Sequence, residues 1–126
     1  MKIKTGLILC AGFGKRVQPI TDTLPKPLIV YKNITLLENT INFLIKLKID
    51  KIKINVFYLK DQITNFIKNK NFPVNIEIID DGETILGTGG GILNLIKSSE
   101  EDDALVINPD TIWDNSYINS INKMEE

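Results

Sequence analysis

The sequence predicts one α/β domain with a mostly parallel sheet and helices on both faces. Two observations support this prediction. Short apolar or alternating segments typical of strands take turns along the chain with segments whose apolar residues recur at helical spacing. The 126 residues, 43% of them hydrophobic, are also enough to bury a core.

The first predicted strand runs from Ile3 to Leu9, because the segment is short and mostly apolar. A loop over residues 11–27 follows it. In this loop a regular helix is excluded by Pro19, Pro25 and Pro27.

Two helix–strand units come next. Apolar residues at helical spacing predict the helices, alternation predicts the strand after the first helix, and Pro73 ends the second helix. The predicted order is helix 35–48, strand 52–56, helix 61–70 and strand 74–79.

The last third of the sequence predicts one more such unit. A turn-rich loop over 80–87 precedes a helix from Thr88 to Lys97, with Thr88 as N-cap, although three glycines are a poor helix opening. A strand over 104–107 and a helix over 114–121 complete the chain.

Composition excludes several classes of function. The net charge is −1 without any histidine, so no basic surface for nucleic acid is expected. No apolar run approaches the roughly 18 residues of a membrane span. The lone Cys10 has no partner for an internal disulfide. We therefore expect a reduced, cytoplasmic protein that binds neither nucleic acid nor membrane.

Three features follow predicted strand ends. They are the loop after the first strand, the loop before Thr88, and Asp110 after the fourth strand. In open parallel sheets ligands bind beyond the carboxyl ends of the strands, so these features are expected to converge on one site.

Arg16 is the one arginine in the chain and follows Gly12-Phe13-Gly14. Glycines allow tight turns and close backbone approach to an anion, and a guanidinium binds phosphate through two parallel donors. A G-x-G pair is also common in ordinary turns. Val17 replaces the third glycine of the G-x-G-x-x-G pattern, and no G-x-x-x-x-G-K-[ST] string is present.

Lys26 stands between Pro25 and Pro27, which restrict the backbone and suit a defined phosphate contact. The alternative for Lys26 and Arg16 is that both are solvated surface cations. Asp110 is either a Mg²⁺ ligand past a strand end or the Asp of a Pro-Asp turn.

These residues together resemble the signature of the sugar-1-phosphate nucleotidyltransferases. The resemblance is carried by Leu9-Cys10-Ala11-Gly12-Phe13-Gly14-Lys15-Arg16, Pro19-Ile20-Thr21, Pro25-Lys26-Pro27-Leu28, Leu86-Gly87-Thr88-Gly89-Gly90-Gly91 and Val106-Ile107-Asn108-Pro109-Asp110. Within the family we expect similarity to members acting on N-acetylmuramate 1-phosphate, mannose 1-phosphate or heptose 1-phosphate. The fold it implies is the Rossmann-like nucleotide-diphospho-sugar transferase fold.

The resemblance also implies a reaction and roles. A nucleoside monophosphate group would pass from a nucleoside triphosphate to a sugar 1-phosphate, releasing pyrophosphate, with Mg²⁺ as cofactor. Arg16 and Lys26 would contact the phosphates, and Asp110 would bind the metal. The nucleotide would lie against Leu9, Ala11, Gly12, Phe13, Gly14, Thr88 and Gly89.

Two departures and the length qualify this expectation. Cys10 replaces a usual alanine, and Pro109 replaces the glycine before the metal ligand. Members of the family are longer, so residues 1–126 are expected to form the nucleotide-binding N-terminal part of a larger domain. An exposed sheet edge then predicts self-association, which a monomeric elution profile would contradict. The alternative is a non-catalytic nucleotide-binding or regulatory module.

Overall fold

The computed structural model describes residues 3–11, 23–80, 104–109, 113–114 and 116–125. In chain order its elements are β1 (Thr5–Leu9), a short 3₁₀ helix (Lys26–Leu28), β2 (Val30–Tyr31), β3 (Ile34–Thr35), α1 (Leu36–Lys46), β4 (Lys51–Val56), α2 (Lys60–Lys70), β5 (Asn75–Asp80), β6 (Leu105–Ile107) and α3 (Ser116–Glu125).

Four strands form a parallel sheet in the order β5-β4-β1-β6, which confirms the predicted parallel α/β fold. The chain steps outward from β1 to β4 and β5 on one side, whereas β6 pairs with the other side of β1. The direction of strand addition therefore reverses between β1 and β6. Such a reversal leaves a crevice at the carboxyl ends of the two strands, where ligands of open α/β sheets bind.

One face of the sheet carries the apolar core. Ile8, Ile52 and Ile54 are fully buried there, together with residues of α1 and with Ile63 of α2. These two described helices thus pack on the same face. A Cβ added to Gly6 would lie 3.0 Å from Leu44 Cδ1, so the missing side chain lets α1 approach β1 closely.

The opposite face of β4 is also buried, although its residues are polar. Lys53 is 1% exposed and Asn55 is 2% exposed. The alternation of Ile52, Ile54 and Val56 with polar residues therefore does not mark a solvent-facing side. Burial of both faces agrees with a parallel sheet placed between two layers.

The predicted helices and strands that fall in the described ranges are confirmed, with bounds shifted by a few residues. The predicted helix 88–97 lies outside those ranges. Two local structures had no prediction: the 3₁₀ helix at Lys26–Leu28 and the antiparallel pair of β2 with β3. Among the described residues no helix is both long and apolar enough to cross a membrane.

Candidate functional site

The carboxyl ends of β1 and β6 lie side by side. Leu7 pairs with Val106 and Ile8 with Ile107, so the residues that follow the two strands start from neighbouring positions. Cys10 and Ala11 follow β1 and are buried, whereas Asn108 and a buried Pro109 follow β6. The segment that leads to Arg16 and the one that leads to Asp110 therefore leave the sheet at the same crevice.

Asn55 fixes the backbone where β1 ends. Its side-chain Oδ1 accepts a hydrogen bond of 2.7 Å from the backbone N–H of Cys10, and the bond is buried. Asn55 is the pairing partner of Leu9, the last residue of β1. A side-chain acceptor thus replaces the next ladder carbonyl, which directs the chain out of the sheet at Cys10.

Lys26 lies on a segment that is tied down on both sides. The backbone N–H of Leu28 donates to Pro25 O at 2.9 Å, which closes the 3₁₀ turn around Lys26. On one side of this turn Gln62, in the first turn of α2, donates to Thr23 O at 2.8 Å. On the other side, Leu36 N donates to Ile29 O.

These ties place Lys26 at the carboxyl edge of the sheet. The amino end of α2 follows β4 closely, and the C-terminal end of α1 reaches the opposite edge, where Asp50 N and Lys51 N both donate to Lys4 O. Lys26 lies between a contact to the start of α2 and a contact to the start of α1. Pro25 and Pro27 are buried beside it, and Lys26 itself is half-buried.

Asn39 and Trp113 join α1 to the chain beyond β6. The backbone N–H of Trp113 donates to Asn39 Oδ1 at 2.9 Å, and Asn39 Nδ2 donates to Trp113 O at 3.3 Å. The indole Nε1–H of Trp113 donates to Asn108 O at 3.1 Å. The two ends of the stretch 108–113 are therefore linked to each other and to α1.

The next helix begins immediately after this stretch. Asp114 Oδ1 accepts hydrogen bonds from the hydroxyl and the backbone N–H of Ser116. The hydroxyl bond, followed by the backbone bond, lowers the pKa of the Asp114 carboxyl from its ordinary value. An ionised carboxylate close to a helix N-terminus is favourable, because unpaired N–H groups and the helix dipole attract negative charge.

Three of the predicted site residues lie in the described ranges: Leu9 at the end of β1, the buried Ala11 and Lys26. The other predicted site residues lie outside those ranges, namely Gly12, Phe13, Gly14, Arg16, Thr88, Gly89 and Asp110. No group of three His, Cys, Asp or Glu side chains that could hold a metal occurs among the described residues. Cys10 is buried, and burial raises the pKa of its thiol, which argues against a nucleophilic role.

The sequence analysis missed Asn39 and Asn55. For Asn55 a signal was available, since an amide stands among apolar residues at the carboxyl end of a strand. Asn39 has no comparable signal, because a polar residue in the first turn of a helix is ordinary. Its role depends on Trp113, which lies 74 positions further along the chain.

Comparison with known proteins gives a consistent picture. A family model described as nucleotidyl transferase matches residues 5–126. The bifunctional protein GlmU of Methanococcus aeolicus is 38% identical over 120 residues, which are 92% of this chain and 27% of that protein. The N-acetylmuramate alpha-1-phosphate uridylyltransferase of Caulobacter vibrioides is 29% identical over 113 residues, covering 87% of this chain and 47% of that protein.

Solved structures show the same fold. HddC from Yersinia pseudotuberculosis superposes with a TM-score of 0.82 at 27% identity, over 96% of this chain and 54% of HddC. HddC complexed with GMP-PN gives the same values. The chain thus spans roughly half of HddC and a smaller share of the two curated relatives above. The predicted nucleotide-diphospho-sugar transferase fold is confirmed.

Proposed function

Because this chain belongs to the nucleotidyl transferase family, we propose that it binds a nucleoside triphosphate for transfer of the nucleoside monophosphate group to a sugar 1-phosphate. The observation that carries the proposal is the reversal of strand order at β1 and β6, where open parallel sheets bind their ligands. The signature segment begins at the end of β1, and the segment that contains Asp110 begins at the end of the neighbouring β6.

In the proposed reaction an oxygen of the sugar phosphate attacks the α-phosphorus in line. A bond forms between that oxygen and the α-phosphorus, the bond to the bridging oxygen breaks, and pyrophosphate leaves with the electron pair. The protein's task is to position the reactants and to balance negative charge, because no protein nucleophile takes part. This demand fits a site of backbone N–H groups and cations in a chain without histidine.

We assign the following roles within this reaction. Arg16 binds the departing pyrophosphate through paired donors. Lys26, whose backbone is held between Pro25 and Pro27, contacts the phosphates near the reacting centre. The backbone of Leu9 to Gly14 cradles the nucleotide, with its start set by the bond from Cys10 N to Asn55. Thr88 and Gly89 lie near the base.

Mg²⁺ is the proposed cofactor, and Asp110 is its proposed protein ligand. The residue type fits the chemistry, because Asp110 offers the hard oxygen donors that Mg²⁺ takes, and in the sequence it directly follows Pro109, which is buried beyond the end of β6. When bound, the ion would neutralise phosphate charge.

We also propose a cytoplasmic location, where a free thiol such as that of Cys10 stays reduced. Finally, we propose self-association through β6, an edge strand of the described sheet whose Val106 is 41% exposed.

A second candidate is a nucleotide-binding module that does not catalyse transfer. Pro109 favours this alternative, because it occupies the position before Asp110 where the family pattern has glycine. Proline fixes the backbone φ at about −65°, whereas glycine does not restrict it. Release of pyrophosphate from the triphosphate in the presence of N-acetylmuramate 1-phosphate or mannose 1-phosphate would exclude this second reading.

Nucleotide affinity measured by calorimetry tests the proposal. Replacing Arg16 by Ala should weaken binding of UTP or GTP by roughly 10- to 100-fold, the cost of losing charge-assisted hydrogen bonds. Arg16→Lys is the matched control for charge and should recover part of the loss, since lysine lacks the paired donors.

The same measurement applies to Lys26. Lys26→Ala should weaken binding, whereas Lys68→Ala, which removes an exposed lysine of α2, should leave the affinity unchanged. Equal affinities for the unchanged chain and for Arg16→Ala would contradict the proposed phosphate site.

A further inference from the structure

Asn39 of α1 holds the backbone of Trp113, the last residue of the stretch 108–113. It accepts from the backbone N–H of Trp113 and donates to the backbone carbonyl of the same residue. Both bonds go to main-chain atoms, so they fix where the chain runs and do not depend on a particular side chain at position 113. An amide that bonds both main-chain groups of one residue reproduces the pairing of neighbouring strands.

The Trp113 ring also has contacts that fix its position. It stacks on Phe43 of α1 with ring centroids 5.3 Å apart, and Tyr117 of α3 packs edge-on against it at 4.9 Å. From this position the indole N–H reaches back to the carbonyl of Asn108, directly after β6. The stretch 108–113 is thus fixed at one end by the sheet and at the other by α1.

We propose that Asn39 is a positioning residue for the metal–nucleotide complex. In the sequence Asp110 stands between Asn108 and Trp113, whose backbone groups are held by hydrogen bonds. Because consecutive Cα atoms are only about 3.8 Å apart, the positions of these two residues limit how far from them Asp110 can lie. Mg²⁺ demands near-ideal geometry at roughly 2.0–2.1 Å from its ligands. The hydrogen bonds of the Asn39 amide therefore affect how tightly Asp110 binds Mg²⁺. This inference rests on the role proposed above for Asp110.

A purely structural role would give a different signature. If Asn39 only stabilised the fold, its loss would lower the melting temperature without changing the dependence of nucleotide binding on Mg²⁺. If it positions Asp110, the Mg²⁺ dependence itself should change. Binding measured without the ion should change little, since Asn39 lies on α1 and contacts the chain beyond β6.

The test is a Mg²⁺ titration of UTP and GTP affinity for four forms of the full chain: unchanged, Asn39→Ala, Asn42→Ala and Asp110→Asn. Asn42 is the matched control, because it is a half-buried asparagine of the same helix. Loss of two hydrogen bonds to the backbone should raise the Mg²⁺ concentration at half effect by roughly tenfold for Asn39→Ala. Asn42→Ala should match the unchanged chain, and Asp110→Asn should abolish the Mg²⁺ effect.

The outcomes separate this inference from the proposed function. If Asp110→Asn abolishes the effect while Asn39→Ala behaves as the unchanged chain, the inference is wrong and the role of Asp110 stands. If Asn39→Ala weakens binding equally with and without Mg²⁺, its role is structural and the inference is again wrong. If the unchanged chain shows no Mg²⁺ effect, or Asp110→Asn retains it, both proposals are contradicted.

Fluorescence supplies a readout that needs no nucleotide. Trp113 is the one tryptophan of the chain, so its emission reports on this stretch alone. Asn39→Ala should make the indole more accessible to acrylamide, while Asn42→Ala should not; equal quenching in both variants would contradict the inference.

Trp113→Phe keeps an aromatic ring and loses the indole N–H, so it should raise the Mg²⁺ requirement by less than Asn39→Ala. An unchanged requirement would exclude any contribution of the bond to Asn108.

Discussion

Asn55 shows how one buried amide determines where a strand ends. Its oxygen receives the backbone N–H of Cys10 in a buried bond of 2.7 Å, at the first residue beyond β1. A buried N–H without a partner is costly, so the side chain at position 55 is constrained by the path of the chain and not only by the volume of the core. The start of the signature segment therefore depends on a residue of a different strand.

Asn55→Ala should lower the free energy of unfolding by about 1–3 kcal/mol, because the Cys10 N–H stays buried without its acceptor. Urea denaturation measures this change. Asn75→Ala is the control, since Asn75 is an exposed asparagine of β5 and its loss should have an effect within roughly 0.5 kcal/mol. Equal effects of the two substitutions would show that the bond to Cys10 contributes nothing.

At the scale of elements, β5 supplies the carboxylates of two ion pairs, one to a lysine of β4 and one to a lysine of α2, and the two pairs differ in burial. Glu77 lies 3.4 Å from Lys53, which is 1% exposed, whereas Asp80 lies 2.8 Å from Lys60 in a pair with both members exposed. Distance alone would favour the second pair. Burial reverses the order, because a charge that is held away from water depends on its partner far more than an exposed charge does.

Glu77→Gln should therefore cost more stability than Asp80→Asn. We expect a loss of about 1–3 kcal/mol for Glu77→Gln, because this change removes the carboxylate charge that lies 3.4 Å from the buried ammonium of Lys53. For Asp80→Asn we expect less than about 1 kcal/mol. Both values come from chemical denaturation at neutral pH. A larger loss for Asp80→Asn would contradict this ranking by burial.

The elements that the sequence predicted are those with a clear period. The helix Leu36–Lys46 has apolar residues at helical spacing, and its cap at Thr35 accepts from Glu38 N at 3.0 Å. The pairing of β2 with β3 had no such signal. Lys32 and Asn33 form the turn with φ of 51° and 70°, a conformation in which glycine is common. Because no glycine is present at these positions, the sequence did not predict the hairpin.

The candidate site divides along a similar line. The site residues in the loop after β1 and the acidic residue after β6 stay predictions; they could be proposed from the sequence because strand ends and motif residues are local features. The bonds from Asn39 to Trp113 and from Asn55 to Cys10 could not be predicted, because they join residues far apart in the chain and exist only once the sheet has formed.

At the scale of the molecule, the strand order accounts for the location of the site. β1 and β6 are neighbours, so the two segments that carry the proposed phosphate and metal ligands begin at adjacent strand ends. The helices α1 and α2 start at this same edge and tie down the segment of Lys26. We therefore expect a nucleotide site that depends on Mg²⁺ at this edge.

The most direct test of this claim is a thermal-shift panel of UTP, GTP, CTP, ATP and dTTP, each with and without Mg²⁺. A ligand that binds only the folded chain raises the melting temperature, by an amount that corresponds to about 2.7 kcal/mol at 100 times its dissociation constant. We predict a rise with one of these nucleotides that requires Mg²⁺, and this result would also identify the base. An unchanged melting temperature with all five nucleotides would contradict it.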